Sequence, residues 1–208
     1  MGELPAWAES QLRARGIDDP RVLAAMASVP REHFVPAELR EHAYDDTALP
    51  LPHGQTVSQP FIVAYMAQAL ALSGEERVLD VGTGSGYAAA VLAELAAEVD
   101  SIECVPELAE GARRALAALG LERVSVHLGD GALGLPERAP FDGIAVAAAA
   151  PDVPAALGQQ LAERGRLVIP LVRHGSERLC VFEQRHGGLR LLAAIPARFV
   201  PLIASTPC

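Results

Sequence analysis

The run Asp80-Val81-Gly82-Thr83-Gly84-Ser85-Gly86 stands out chemically. Alternate glycines let a backbone take positive φ and pass close to a ligand. The run follows the short apolar segment Val78 to Val81 and precedes an alanine-rich one from Tyr87. That order places the turn at the carboxyl end of a strand, where doubly wound sheets bind ligands. Glu103 comes 21 positions after Gly82, at the end of the next apolar run, and a carboxylate there can accept both hydroxyls of a ribose. Asp130, between Gly129 and Gly131, follows a third such run and can accept from an adenine amino group. Taken singly, Glu103 and Asp130 also fit ordinary helix caps at strand ends. All three features in this chain order converge on one ligand, a nucleoside. The nicotinamide fingerprint would want its third glycine where Tyr87 stands, and no nearby segment replaces it.

A second candidate is Ser58, in the polar stretch Gly54-Gln55-Thr56-Val57-Ser58. A hydrolase reading would make Ser58 the nucleophile and His53 its base, but the glycine-serine-glycine elbow that presents such a nucleophile is absent. Ser58 can also be read as a turn serine capping a following helix. No HExxH or paired histidine spacing occurs, so no metal is expected.

Several elements must position these groups. Residues 3–15 and 18–28 read as amphipathic helices, with Asp18 or Asp19 capping the second and Pro20 in its first turn. Pro30, Pro36, Pro50, Pro52 and Pro60 punctuate a structured loop, and a helix follows from Pro60 to Leu72. Strands are then expected at 78–81, 99–103, 124–128, 144–148 and 166–170, with helices at 87–97, 106–119 and 154–161. This alternation calls for an α/β fold, a doubly wound and mostly parallel sheet with right-handed crossovers. Runs at 179–183 and 189–195, joined at His186-Gly187-Gly188, read as an antiparallel hairpin on the sheet edge. The reading is one domain over 1–208, comprising N-terminal helices and loop (1–76), a nucleoside-binding core (77–170) and C-terminal strands and tail (171–208).

Composition narrows the chemistry. All 17 basic residues are arginine, which removes the phosphate-loop lysine and any lysine Schiff base. A formal charge of −9 without an arginine cluster argues against nucleic acid as a partner. Cys104, Cys180 and Cys208 are odd in number and lack CxxC spacing. With no basic-then-apolar leader, they suggest a cytoplasmic protein whose cysteines are inert. No apolar run approaches the roughly 20 residues of a membrane helix.

The glycine turn resembles the acidic-x-Gly-x-Gly-x-Gly signature of S-adenosylmethionine methyltransferases, a Rossmann-like fold. A more specific resemblance, to protein-L-isoaspartate O-methyltransferases, spans nearly the whole chain. It runs through Arg15-Gly16-Ile17-Asp18-Asp19-Pro20, Val29-Pro30-Arg31-Glu32-His33-Phe34-Val35-Pro36 and Ala43-Tyr44-Asp45-Asp46, and peaks at Gly54-Gln55-Thr56-Val57-Ser58-Gln59-Pro60. Further matches are Gly129-Asp130-Gly131, Ala139-Pro140-Phe141-Asp142, Gly165-Arg166-Leu167-Val168-Ile169-Pro170 and Phe199-Val200-Pro201-Leu202. The chain departs from the pattern at Ala48, Pro52 and Ala147, which bears on the shape of the substrate loop.

The resemblance implies methylation of the free α-carboxylate of isoaspartyl residues in damaged peptides and unfolded protein segments. The ester then collapses to a succinimide, whose hydrolysis returns some normal aspartate. The family's catalytic hydroxyl falls on Ser58. Its S-adenosyl-L-methionine site falls on Gln55, Thr56, Asp80, Gly82, Thr83, Gly84, Gly86, Glu103, Asp130 and Gly131. Peptide contacts fall on Thr56, Val57, Ser58, Gln59, Val200, Pro201 and Leu202. Two other readings stay open at this point: methylation of a normal Asp in one dedicated precursor peptide, and a catalytically silent cofactor-binding module.

Overall fold

In a computed structural model, residues 4–173 and 175–203 are described; Cys208 and the first residue of the expected N-terminal helix lie outside them. The chain opens with α1 (Ala6–Gln11), a 3-10 turn (Arg13–Arg15) and α2 (Pro20–Ser28). α1 is shorter than expected because the chain tightens after Leu12 into the 3-10 turn, which Gly16, at φ 94°, closes. Asp19 caps α2, accepting from the N–H groups of Arg21 at 2.8 Å and Val22 at 3.4 Å. These are donors that no preceding helical turn can satisfy. Within the proline-rich loop, β1 (Leu49–Pro50) and β2 (Thr56–Val57) form a two-residue antiparallel ladder. It was too short to leave a periodic signal. α3 (Pro60–Leu70) follows and stops at Ala71, which turns left-handed at φ 53°.

The remaining elements are β3 (Arg77–Val81), α4 (Tyr87–Ala93), β4 (Glu98–Glu103), α5 (Pro106–Ala118), β5 (Val124–Leu128), β6 (Phe141–Val146), α6 (Ala155–Gln159), β7 (Leu161–Arg173), β8 (Ser176–Arg185) and β9 (Gly188–Pro196). They build a sheet in the order β5-β4-β3-β6-β7-β8-β9. Pairing is parallel from β5 to β7 and antiparallel from β7 to β9. This is the doubly wound, mostly parallel α/β sheet that the alternation calls for. From β3 the chain winds outward through β4 and β5, then returns to lay β6 on the other side of β3. That reversal opens a crevice at the carboxyl ends of β3 and β6.

Period-two alternation feeds two cores. On β3, β6 and β7, Val78, Ala145 and Val168 join the cluster that holds α2, α3 and α4, whereas Leu79, Val81, Ile144, Val146, Leu167 and Ile169 join the opposite one with Leu157 of α6. Strands apolar on both faces are what a helix-covered parallel sheet requires.

Several boundaries differ from the sequence expectation. β7 runs through Pro170 instead of ending there. The Pro170 carbonyl accepts from Ala150 N at 3.0 Å, so the missing N–H would point to the same side, beyond the end of β6 at Val146, where no ladder demands it. β6 occupies 141–146 rather than 144–148, because the chain turns into the cleft at Ala147 once that residue's N–H has bonded Val81 O at 2.8 Å. α4 stops at Ala93, four residues early, since Ala97 and Glu98 must already meet Glu76 O to start β4. The β8–β9 hairpin is longer than the two apolar runs and closes through a two-residue turn, His186-Gly187, with both φ positive (51° and 78°). That hand matches the twist of the flanking strands.

Candidate active site

The glycine turn is built by its hydrogen bonds. Gly82 N and Thr83 N both donate to Ile102 O, at 2.9 and 3.3 Å, which lashes the end of β3 to the end of β4. Gly84 N donates to Glu103 Oε2 at 2.8 Å, while Glu103 Oε1 accepts from Cys104 N at 2.9 Å and Val105 N at 3.0 Å. Glu103 is buried, yet it lines the crevice. A carboxylate offers about four acceptor positions. Three are taken by backbone, so one remains, on Oε2. These bonds fix the carboxylate's orientation and leave that acceptor position on Oε2.

Not every glycine of the turn faces the crevice. Gly82 and Gly84 line it, at φ 92° and 55°. Gly86 does not: a Cβ there would come within 3.3 Å of Ala112 and 3.4 Å of Leu116, so its smallness lets α4 start hard against α5. At Gly131, which does line the crevice, a Cβ would lie 2.5 Å from Val81 Cγ1. Only the bare backbone fits there. Asp130 is half-buried and outside the lining, with its carboxylate accepting from Ala132 N at 2.8 Å.

Asp80 lies beneath the crevice, not in it. It is buried and accepts from Ser101 Oγ at 2.7 Å; Ser101 Oγ is in turn 2.6 Å from Thr83 Oγ1, and all three side chains are inaccessible. Burial pushes the Asp80 carboxyl up to about 6; the Ser101 hydrogen bond opposes this and the nearby Glu103 charge adds to it.

Three separate segments complete the walls. Gln55, Thr56, Val57 and Ser58 arrive on the β1–β2 ladder, which the Leu51 N to Gln55 O bond (2.8 Å) extends. Val200, Pro201 and Leu202 are stitched beside the alanine run after β6: Ala149 N donates to Val200 O and Leu202 N to Ala149 O, both at 2.8 Å. Ala147 and Ala148 from that run line the crevice too. The space these segments line is about 750 Å3 and includes open solvent.

Ser58 is half-buried. Among the described residues its hydroxyl has no hydrogen bond, and α3 has no side-chain cap, so Ser58 is not the capping serine of that helix. His53 lines neither this crevice nor its neighbour and sits 3.9 Å from Glu107. Ser58 thus lacks a base, which removes the hydrolase reading. Gln59 faces a second, adjoining cleft that shares Thr56 and Ser58 with the first. Among the described residues no group of three or more His, Cys, Asp or Glu could hold a metal, and no helix is long and apolar enough to cross a membrane.

Sequence reasoning missed Ser101, Tyr87, Ile102 and Cys104. Ile102 and Cys104 flank Glu103 and were within reach of the same argument. Ser101 carried no signal, since a serine inside a strand reads as neutral.

Comparison with known proteins agrees with this geometry. The family model described as protein-L-isoaspartate(D-aspartate) O-methyltransferase matches residues 9–206. A Marinobacter nauticus protein-L-isoaspartate O-methyltransferase is 57% identical, over 95% of this chain and 91% of its own length. One from Opitutus terrae is 53% identical, over 96% and 86%. Among solved structures, one described as a Plasmodium falciparum protein-L-isoaspartate O-methyltransferase, in complex with S-adenosyl-L-homocysteine, superposes with a TM-score of 0.81 at 26% identity, over 98% of this chain and 99% of that one. Another protein-L-isoaspartate O-methyltransferase gives 0.79 at 29% identity, over 93% of this chain and 64% of the longer neighbour.

The buried aspartate gives a pH test. Because the folded-state pKa of Asp80, about 6, lies above the ordinary 3.8, the folded protein holds this proton more tightly than the unfolded one. Its contribution is therefore most favourable below pH 4 and is lost as pH rises through 6, by on the order of 2 to 3 kcal/mol. Urea unfolding of wild type and Asp80→Asn should show the wild type losing that much relative to the variant between pH 4 and 7. Parallel stability profiles would place the carboxylate in a polar setting instead.

Proposed function

The chain belongs to the protein-L-isoaspartate O-methyltransferase family, and on that footing we propose how its residues share the work. The reaction is methyl transfer from S-adenosyl-L-methionine to the free α-carboxylate of an isoaspartyl residue, which starts succinimide formation and repair. S-adenosyl-L-methionine, when bound, supplies the methyl as an electrophile on a sulfonium.

The crevice residues fit such a cofactor. Glu103 offers its last acceptor position, on Oε2, to a ribose hydroxyl. Gly82, Gly84 and Gly131 let the backbone approach closely, and Asp130, fixed by Ala132 N–H, serves the adenine side. Gln55, Thr56 and Thr83 complete the walls, while Asp80 and Gly86 act from behind them. Asp80 fixes Thr83 through Ser101, and Gly86 sets where α4 starts.

Ser58 is the residue we assign to the acceptor. A carboxylate with an ordinary pKa near 4 is already ionised at neutral pH, so no base need remove a proton. What the protein must supply is alignment and exclusion of water. A serine hydroxyl can donate to one carboxylate oxygen while the other attacks. The observation that carries this assignment is a hydroxyl left uncommitted where the two clefts meet. Val57, Ser58 and Gln59, with Val200, Pro201 and Leu202, would hold an extended peptide largely through its backbone. That favours unfolded segments as substrates. Free Cys104 and Cys180 suit a reducing compartment, and we infer action in the cytoplasm, as one unit over 1–208, without metal, membrane or nucleic acid.

Three measurements test the assignment. Glu103→Ala should weaken S-adenosyl-L-methionine binding by roughly 1 to 3 kcal/mol in calorimetry, and unchanged affinity would remove Glu103 from the ribose. Ser58→Ala should lower turnover on an isoaspartyl peptide at least about ten-fold, with cofactor affinity nearly constant; full activity would end the positioning role. Matched unstructured peptides, assayed at subsaturating concentration, should be methylated at least ~100-fold more efficiently in the isoaspartyl than in the aspartyl form. The added main-chain methylene moves the carboxylate relative to Ser58, so an enzyme that treats both forms alike would not be a repair enzyme.

A further inference from the structure

The second cleft is lined by Arg15, Asp46 and Arg198 together with the apolar side chains of Phe61, Ile62 and Phe199, and it shares Thr56 and Ser58 with the cofactor crevice. An extended peptide advances about 3.3 Å per residue. When one residue reaches Ser58, a neighbour within two positions falls in this second space. Its charge balance is unusual for the molecule: two arginines against one aspartate, in a chain of formal charge −9.

The two arginines are not equivalent. Arg15 is committed, with Nη1 2.7 Å from the Asp46 carboxylate and the guanidinium 3.8 Å over the Phe61 ring. Asp46 is held a second time by Gln59 Nε2 at 2.7 Å. This group is neutral and serves as a wall. Arg198 is exposed and, among the described residues, has no hydrogen bond or ion pair. Glu177 of β8 accepts from Phe199 N–H at 2.5 Å and so anchors the backbone next to Arg198, and it does not line the cleft. Of the described charged side chains that line the cleft, Arg198 is therefore the one without an ion pair, and it stands beside apolar side chains, where a charge is screened less than in open water. A guanidinium's planar fork suits a carboxylate.

We propose that Arg198 is a specificity-determining residue, favouring acceptor peptides with an acidic side chain within two residues of the isoaspartate. This rests on the reading of Ser58 as the residue that meets the acceptor carboxylate. The interaction is steering and selection at a partly exposed site, so its effect is modest and sensitive to salt.

The experiment compares kcat/KM on unstructured isoaspartyl peptides that differ only in carrying Glu, Gln or Lys at one flanking position, scanned over two residues on each side. At low ionic strength, at least one position should rank Glu over Gln over Lys by about three-fold per step, hence about ten-fold from Glu to Lys. The ratio should shrink in about 0.5 M salt. It should flatten in Arg198→Gln and invert in Arg198→Glu. A ratio of rates on two peptides is independent of how much folded enzyme each variant yields. Wild-type indifference to charge at every flanking position, or an undiminished preference in Arg198→Gln, would overturn the proposal. Failure of the underlying reading looks different: Ser58→Ala would methylate every peptide of the set at the wild-type rate, whatever its flanking charge, and both ideas would fall together.

Discussion

The Glu103 carboxylate is the contact on which the rest of the site depends. Three backbone N–H groups, from Gly84, Cys104 and Val105, end on its two oxygens. Hydrogen bonds to a charged acceptor are worth roughly 1.5 to 3 kcal/mol each, and here they join parts of the chain that no helix or strand joins. Gly84 belongs to the turn after β3, whereas Cys104 and Val105 lead into α5. The ladder bonds of β3 and β4 stop at the strand ends, and the bonds to Ile102 O and Ser101 Oγ hold the turn to β4, so Glu103 adds the hydrogen bonds that carry this tie on to the start of α5. One side chain thus serves as mortar and as part of the crevice wall.

From Gly84 the dependence spreads to the acceptor side. A Cβ on Gly84 would lie 3.6 Å from Leu51 Cδ1 and 3.9 Å from Thr56 O, which measures how closely the β1–β2 ladder packs on the glycine turn. The position of Ser58, two residues beyond Thr56, is therefore inherited from the turn that Glu103 holds. The tail is fixed independently, by the two bonds between Ala149 and the 200–202 segment. Small residues are what make this possible. Ala147, Ala148 and Ala149 line the end of β6 with methyl groups only, so the tail can come in as a parallel neighbour of the chain.

Much of this was legible in the sequence, for identifiable reasons. Alternating apolar residues on β3, β6 and β7 feed two cores, and that period of two is a strong signal. Asp19 before Pro20 marks a helix start because few other residues do both jobs. The glycine turn and the carboxylates at 103 and 130 announced themselves by their order along the chain. What escaped was whatever depends on contacts between distant segments. Arg31 is the clearest case. Set among prolines and polar residues, it reads as a surface residue, yet it is fully buried, with Nε donating to Ala43 O at 2.6 Å and its guanidinium 4.7 Å over the Tyr87 ring. Its Nη1 and Nη2 have no hydrogen-bond partner, and burial pulls its pKa down. Likewise the sequence could place a carboxylate at the end of the second strand, but it could not show that three backbone N–H groups already end on it.

The division between the two clefts explains how such a site can be catalytic while holding so little reactive machinery. An ionised carboxylate needs no base and a sulfonium needs no acid, so a proton-transfer group in the crevice would add nothing to the methyl-transfer step. What limits the rate is bringing two small centres into line and keeping water from solvating the nucleophile, and rigid placement alone is known to supply several kcal/mol toward that. In the proposed assignment this requirement is met because Ser58 follows directly on a short ladder braced against a glycine turn, rather than sitting in a free loop. Asp80 fits the same logic. Buried and reached through Ser101, its carboxylate is costly to ionise, but the chain Asp80–Ser101–Thr83 holds the Thr83 hydroxyl in place. Rigidity at the edge of the crevice is thus obtained from a buried carboxyl beneath it, so a residue that does not line the crevice helps to shape it.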